Sequence, residues 1–288
     1  MGASWSNQNT IPCEKYRILT YNVEWGFINI PKDIHLDSCG HIIPHNKTAQ
    51  IKHLQLVAKN IGLLTPHICF LQEIGSLEAI QLIANHIKDI FDIDYNVHYS
   101  NTKPGYQGVG LLIQKDISSK CVVENIPNFK LDRALGITMT TDSNSYKIIG
   151  THLKSLCDHK YDKDVGEQKT QIQSIFDWTG DNKNVIICGD FNNIPSSEPI
   201  QKVIKANLES ILDSNKYEPN ITGDKLTEFS KNKNGKEYGS VIDYIFKSKP
   251  IEVISAHIVD FERETKNPIK NMRCETSDHL PVLGIFKL

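Results

Sequence analysis

No stretch of the sequence approaches the roughly 20 consecutive apolar residues of a membrane-spanning helix, so stable insertion into a bilayer is not expected. The N-terminal residues also lack the apolar core of a secretory signal. Cysteine is sparse and unpatterned: the seven residues, Cys13, Cys39, Cys69, Cys121, Cys157, Cys188 and Cys274, form no C-x-x-C pair. An odd, unpatterned set points to a reduced, intracellular protein of the cytoplasm or nucleus. A dominant charge is missing too, since 32 Lys and Arg stand against 34 Asp and Glu for a net −2. That balance excludes a polybasic surface that alone would hold nucleic acid, so phosphate chemistry would need a local source of positive charge. What is present is a 39% hydrophobic fraction over 288 residues, enough for a sizeable core and incompatible with general disorder.

Neither an internal repeat, nor a linker rich in Pro, Gly or Ser, nor a break in composition divides the chain. Residues 1–14 are expected to form a flexible N-terminus and residues 15–288 a single domain. The opening Met1-Gly2-Ala3-Ser4-Trp5-Ser6 fits a myristoylation pattern at Gly2. No polybasic segment follows it, and an unstructured terminus is the expectation.

Short runs rich in β-branched and aromatic residues recur at 16–21, 67–71, 109–113, 137–140, 146–150, 185–188, 241–246, 251–258 and 280–286, each closed by turn-forming residues. Helical periodicity marks Ile51, Leu54, Val57, Ile61 and Leu64, then Leu77, Ile80, Ile83, Ile87 and Ile90, with Ser76 as N-cap and Glu78 in the first turn. Further helices are expected over about 167–178 and 197–206. The runs at 109–113, 121–123, 137–140 and 146–150 are too close for helical crossovers and read as an antiparallel meander. The architecture implied is α/β (α+β), with two mixed sheets packed face to face and helices on the outer faces. Long connections fall at 25–47, 100–107, 153–168, 213–238 and 261–276. Their charges nearly cancel, five lysines against five acids in 213–238 and four against four in 153–170, so no linear basic stripe exists.

The informative feature is a set of polar residues at the ends of apolar strands. The first run closes on Asn22 and Glu24, the second on Glu73, the fifth on His152 and Lys154, and the sixth on Asp190 and Asn192. Asp243 stands inside an apolar run, and Asp278 and His279 open the last one. Singly, an Asx residue at a strand end commonly closes a local turn, and a strand histidine is commonly structural. Asp243 resists that reading, because an acid in a buried run needs a partner. Together, five carboxylates, two histidines and two amides supply what hydrolysis at a phosphate needs. Hard oxygens hold Mg2+, an imidazole held by an acid meets the phosphate, and amides orient oxygens.

In this order, Asn22, Glu73, His152, Gly189-Asp190-Phe191-Asn192, Asp243 and Ser277-Asp278-His279 resemble the signature of the endonuclease/exonuclease/phosphatase superfamily, over about residues 16–286. The resemblance implies a four-layer αββα sandwich of deoxyribonuclease I type. It implies Glu73 as the principal Mg2+ ligand, with Mn2+ able to substitute, and Asn22 beside it toward the phosphate or the metal. Glu24 would ligate directly or through water, and Asp278 belongs to the same metal-side set. Asp190 would orient and deprotonate the attacking water, a duty the family divides between aspartate and histidine, and Asn192 would hold that carboxylate and the phosphate. His279 would contact the scissile phosphate with its ring fixed by Asp243, and His152 would be a second phosphate contact. Lys154, two residues beyond His152, would face the same side of the strand and add charge to the pocket, or else remain a solvated surface lysine. Arg133, at a strand start, is a further candidate for substrate contact.

Trp25 and Phe27 follow the first strand and Tyr106 sits in the Pro104-Gly105-Tyr106 turn, where aromatics suit either base stacking or loop packing. The 187–199 and 240–248 stretches are similar to general nuclease and deadenylase-like branches, although typical deadenylases lack the acid at the Glu24 position. The expectation is a divalent-metal-dependent hydrolase of phosphodiester bonds, a nuclease for DNA or RNA. Its alternatives are a phosphatase or phospholipase C-like enzyme for inositol phosphate or sphingolipid headgroups, or a 3' poly(A) deadenylase. An inactive binding protein fits least, since every motif position carries a competent side chain. The sequence singles out no protein partner.

Overall fold

The computed structural model describes residues 15–28, 46–100, 107–156, 161–213, 217–218, 227–231, 237–259 and 277–288. Along the chain, β1 (Lys15–Gly26) precedes α1 (Lys47–Leu64), and β2 (Ile68–Ile74) precedes α2 (Leu77–Phe91). Next come β3 (Tyr95–Tyr99), β4 (Gly108–Gln114), the single turn α3 (Lys115–Ser118), β5 (Cys121–Asn125), β6 (Ala134–Thr140) and β7 (Ser145–His152). They are followed by α4 (Tyr161–Thr179), β8 (Val185–Asp190), α5 (Glu198–Lys205), β9 (Leu208–Ser210) and β10 (Tyr217–Glu218). A hairpin of β11 (Glu228–Lys231) and β12 (Glu237–Ser240) leads to β13 (Asp243–Ser248), β14 (Glu252–Ile258) and β15 (Val282–Lys287).

The strands build a seven-stranded sheet, β10-β14-β15-β1-β2-β4-β3, and a six-stranded sheet, β5-β6-β7-β8-β13-β9. Both are mixed, because β1 with β2 and β7 with β8 run parallel among antiparallel neighbours. The two-residue alternation of a strand sends neighbouring side chains to opposite faces, and here both faces are buried. Ile18, Phe70, Ile148 and Ile186 meet in a core between the sheets. Leu19 and Leu71 face the other way, against Leu54, Ile61, Ile83 and Ile87 of α1 and α2. Ile149 and Ile187 likewise face Ile172, Ile175 and Val203 of α4 and α5. The result is the four-layer α/β sandwich of the deoxyribonuclease I type. Between the sheets, Gly150 lies under Phe70, and a Cβ there would come 1.9 Å from the ring.

The α2 cap forms as its sequence implies, with the Ala79 amide donating to Ser76 Oγ at 3.2 Å. Four details differ from the sequence reading. The run at 109–113 does not join the meander: as β4 it pairs with β2 and β3 in the first sheet, while β5, β6 and β7 form the meander in the second. Strands buried on both faces look alike locally, so the pattern does not reveal which sheet each joins. α4 begins at Tyr161, with Asp162 and Asp164 in the first turn, where acids favour the helix dipole. The 213–238 connection contains the β11–β12 hairpin, and Asp243 opens β13 instead of lying inside it. No helix of the described residues is long and apolar enough to cross a membrane. Residues 1–14 with Gly2, and Tyr106, lie outside the described residues.

Candidate active site

Strand register assembles the polar residues. β7 and β8 run parallel with His152 opposite Asp190, and β13 runs antiparallel to β8 with Asp243 opposite Asp190. One imidazole and two carboxylates thus line up across three strands at one end of the second sheet. The first sheet answers with Asn22, where the regular pairing of β1 with β2 ends, and with Glu73 near the end of β2. Residues 277–279, entering β15, bring His279 between the two sheets.

Asn22 ties the set together. Its Nδ2 donates to Asp190 Oδ2 at 3.0 Å and to Glu73 Oε1 at 3.2 Å, and lies 3.4 Å from His279 Nε2. Its Oδ1 accepts the Glu24 amide at 3.0 Å, and its carbonyl accepts the Ser277 hydroxyl at 2.7 Å. Asp190 Oδ1 accepts the Asn192 amide at 2.7 Å, while the Asn192 side chain donates to the Leu153 carbonyl at 3.1 Å. Glu73 Oε2 accepts the Trp25 amide at 3.1 Å, and Glu24 Oε2 accepts the Asp278 amide at 3.1 Å. His279 Nδ1 meets Asp243 Oδ2 at 2.8 Å. Asp243 Oδ1 is buried without a hydrogen-bond partner among the described residues.

Burial sets these groups against one another. Desolvation and then the neighbouring Asp243 push the Asp190 carboxyl up, to about 8. Burial would depress His279, but the charge and hydrogen bond of Asp243, with Asp278 and Asp190, hold it well above an ordinary histidine. His152 goes the other way: burial, then the charges of Arg133, His279 and Lys154, keep it neutral. Glu73 is raised by burial and by Glu24, against the opposing pull of His279. The backbone is strained at the same place, with positive φ at Glu24 (44°), Trp25 (56°), Glu73 (63°) and Asn192 (49°). Gly189 precedes Asp190 at φ 142°, and a Cβ there would lie 1.9 Å from the Thr151 carbonyl oxygen.

Two groups could hold a cation. Asp190, Asp243 and His279 bring ligand atoms within 4.8 Å of one another. The 2.8 Å Asp243–His279 contact already commits the imidazole Nδ1, and a carboxylate–imidazole pair with a raised histidine repels a metal. Glu73, Glu24 and Asp278, which do not bring three ligand atoms as close together, offer only hard oxygens, and Glu24 raises the proton affinity of Glu73.

The remaining sequence candidates separate. Arg133 precedes β6, with its carbonyl accepting the His152 amide at 2.9 Å. Its guanidinium feels the charges of Glu73 and Asp190, yet its buried Nε has no partner among the described residues. β7 stops at His152, so strand alternation does not extend to Lys154; its charge still reaches His152. Phe27 is buried over Gly75, a packing residue, whereas Trp25 beside it (ring centroids 5.6 Å apart) is half-buried. Sequence reasoning missed Thr227. Its Oγ1 accepts the amides of Ile242 and Asp243 at 3.1 and 3.0 Å, and its carbonyl accepts that of Leu280 at 2.7 Å, locking Asp243 to the His279 segment. It lies in a polar stretch with no motif to mark it.

A model of the Endonuclease/Exonuclease/phosphatase family matches residues 19–279. Among curated proteins, no sequence matches the chain. Of solved structures, D. rerio TDP2 complexed with single-strand DNA product aligns with a TM-score of 0.62 at 16% identity, over 95% of this chain and 99% of that one. An endonuclease/exonuclease/phosphatase family protein from Leptotrichia buccalis gives 0.63 at 16% identity, over 95% and 100%. ANGEL2, a 2',3'-cyclic phosphatase in complex with adenosine-2',3'-vanadate, gives 0.61 at 16%, over 94% and 95%. At such identity the likeness is one of fold.

Proposed function

The chain belongs to the endonuclease/exonuclease/phosphatase family, and we propose that it is a divalent-metal-dependent phosphodiesterase acting on DNA or RNA. Members of the family are hydrolases of phosphoester bonds. The observation that carries the reading is the pairing of Asn22 Nδ2 with His279 Nε2, 3.4 Å apart. With His279 cationic and its Nδ1 given to Asp243, both atoms are N–H donors. Both hydrogens of Nδ2 go to Asp190 Oδ2 and Glu73 Oε1, so the His279 Nε2–H is the donor left to meet a phosphate oxygen beside those carboxylates.

Glu73, with Glu24, Asp278 and Asn22 around it, would hold Mg2+, or Mn2+ in its place. That ion would polarise a phosphoryl oxygen and offset its charge. Asp190, steered by the Asn192 amide and by Asn22, takes the proton of the attacking water; a raised carboxyl is matched to that task near neutral pH. His279, fixed by Asp243, donates to the phosphate as negative charge gathers. Neutral His152, 3.7 Å from Asp190 on Nε2, and Arg133, whose Nε has no partner among the described residues, complete the phosphate side, with Lys154 and Trp25 at its rim.

The test is a substrate panel of single- and double-stranded DNA, RNA, poly(A), inositol phosphates and sphingomyelin, run with Mg2+, Mn2+ or chelator. Cleavage of nucleic acid that stops with chelator is expected. Turnover that survives chelation would overturn the metal assignment. Preference for a headgroup or for poly(A) alone would replace the general nuclease reading with the corresponding branch.

A further inference from the structure

Beside the centre, a cavity of about 570 Å3 opens between the edge strands of the two sheets. β3 contributes His98 and Tyr99, β5 contributes Glu124 and Asn125, and Leu77 and Leu135 close the walls. Register places this cavity at the same end of the sandwich as the reacting groups. Asn125 pairs with Leu135, two residues after Arg133, and Gly108, under the Tyr99 ring, pairs with Ile74, which follows Glu73. The Tyr99 hydroxyl donates to the Ile74 carbonyl at 3.1 Å. The Arg133 guanidinium feels the charges of Glu73 and Asp190 and, more weakly, of Tyr99.

The lining selects its occupant. Among its described residues are a carboxylate, an amide, a phenol and aliphatic faces, but no lysine or arginine, and burial favours the neutral form of His98. Such walls disfavour phosphate and suit an uncharged flat group with a hydrogen-bonding edge. The volume is ample for one nucleoside, within the roughly 300–1,000 Å3 usual for small-molecule pockets. We propose that this cavity is the subsite for the nucleoside on one side of the scissile phosphate, with Arg133 holding that phosphate at its mouth. The proposal rests on the phosphodiesterase reading above and narrows it: Glu124 turns away a polyanionic headgroup, and a nucleoside enters.

Leu77 is 52% exposed, so Leu77→Trp fills the cavity without disturbing the core. Thymidine 5'-(p-nitrophenyl phosphate) and methyl p-nitrophenyl phosphate share the leaving group and differ in the nucleoside. Leu77→Trp should lower kcat/KM for the thymidine ester roughly tenfold or more, largely through KM, and leave the methyl ester within about twofold. Asn125→Tyr, filling the space from the exposed edge of the other sheet, should do the same. Equal losses on both esters, or none in either variant, would overturn the subsite while leaving the phosphodiesterase standing. A wild-type protein that cleaves neither ester would overturn both.

Discussion

Asp190 has an imidazole on one cross-strand side and a carboxylate on the other, and burial together with that carboxylate raises its proton affinity. If it is the base, Asp190→Asn should lower kcat by about 10²–10⁴ with the fold intact. His279→Ala should cost about a hundredfold or more, and Asp243→Asn less, through a misoriented ring. Steady-state kinetics with circular dichroism of each variant checks all three; near-wild-type turnover in any would refute that residue's role. A second consequence concerns pH. A carboxyl whose folded-state value is raised favours folding while protonated, and that contribution is lost as pH rises from the ordinary carboxyl range, about 4, through the raised value. In chelator, the protein should therefore lose stability as pH climbs toward about 8. Denaturant titration at several pH values should show the slope, and Asp190→Asn should flatten it.

At the level of elements, the site is a product of register. β8 is held between parallel β7 and antiparallel β13, and Gly189 lets β8 turn its terminal carboxylate inward past the Thr151 carbonyl. Gly189→Ala should destabilise the fold by roughly 2 kcal/mol or more, read as a lower urea midpoint at unchanged slope. The same geometry explains what was legible beforehand. Asn22, Glu73, His152 and Asp190 stand out because sheets buried on both faces leave polar side chains room only where strands end. Thr227 does not, because its contribution is a backbone bridge made by an ordinary residue in a polar stretch. The sheet to which β4 belongs was illegible for a different reason: pairing is decided by which edges are free, and its seven residues carry no mark of that. The cavity between β3 and β5 depends on two edges meeting in space, a relation no linear pattern carries.

Across the whole molecule, the net charge of −2 now counts only against a broad basic surface. His279, Arg133 and a bound ion would concentrate positive charge where the phosphate sits, so affinity for bulk nucleic acid should be modest while turnover depends steeply on metal. We propose that residues 15–288 fold as one unit, because β1 and β15 pair from Lys15↔Lys287 to Thr20↔Val282 inside the first sheet. Calorimetry should show a single cooperative transition whose Tm rises with Mg2+, as binding to the native state alone demands. Two separate transitions would break the proposal. That pairing also has a bearing on biosynthesis. Asn22 leaves the ribosome among the earliest described residues, yet its partner His279 arrives among the last, and the strand that seats β1 later still. A growing chain would thus hold Glu73, Asp190 and Asp243 without a complete centre until His279 has emerged and β15 has paired with β1.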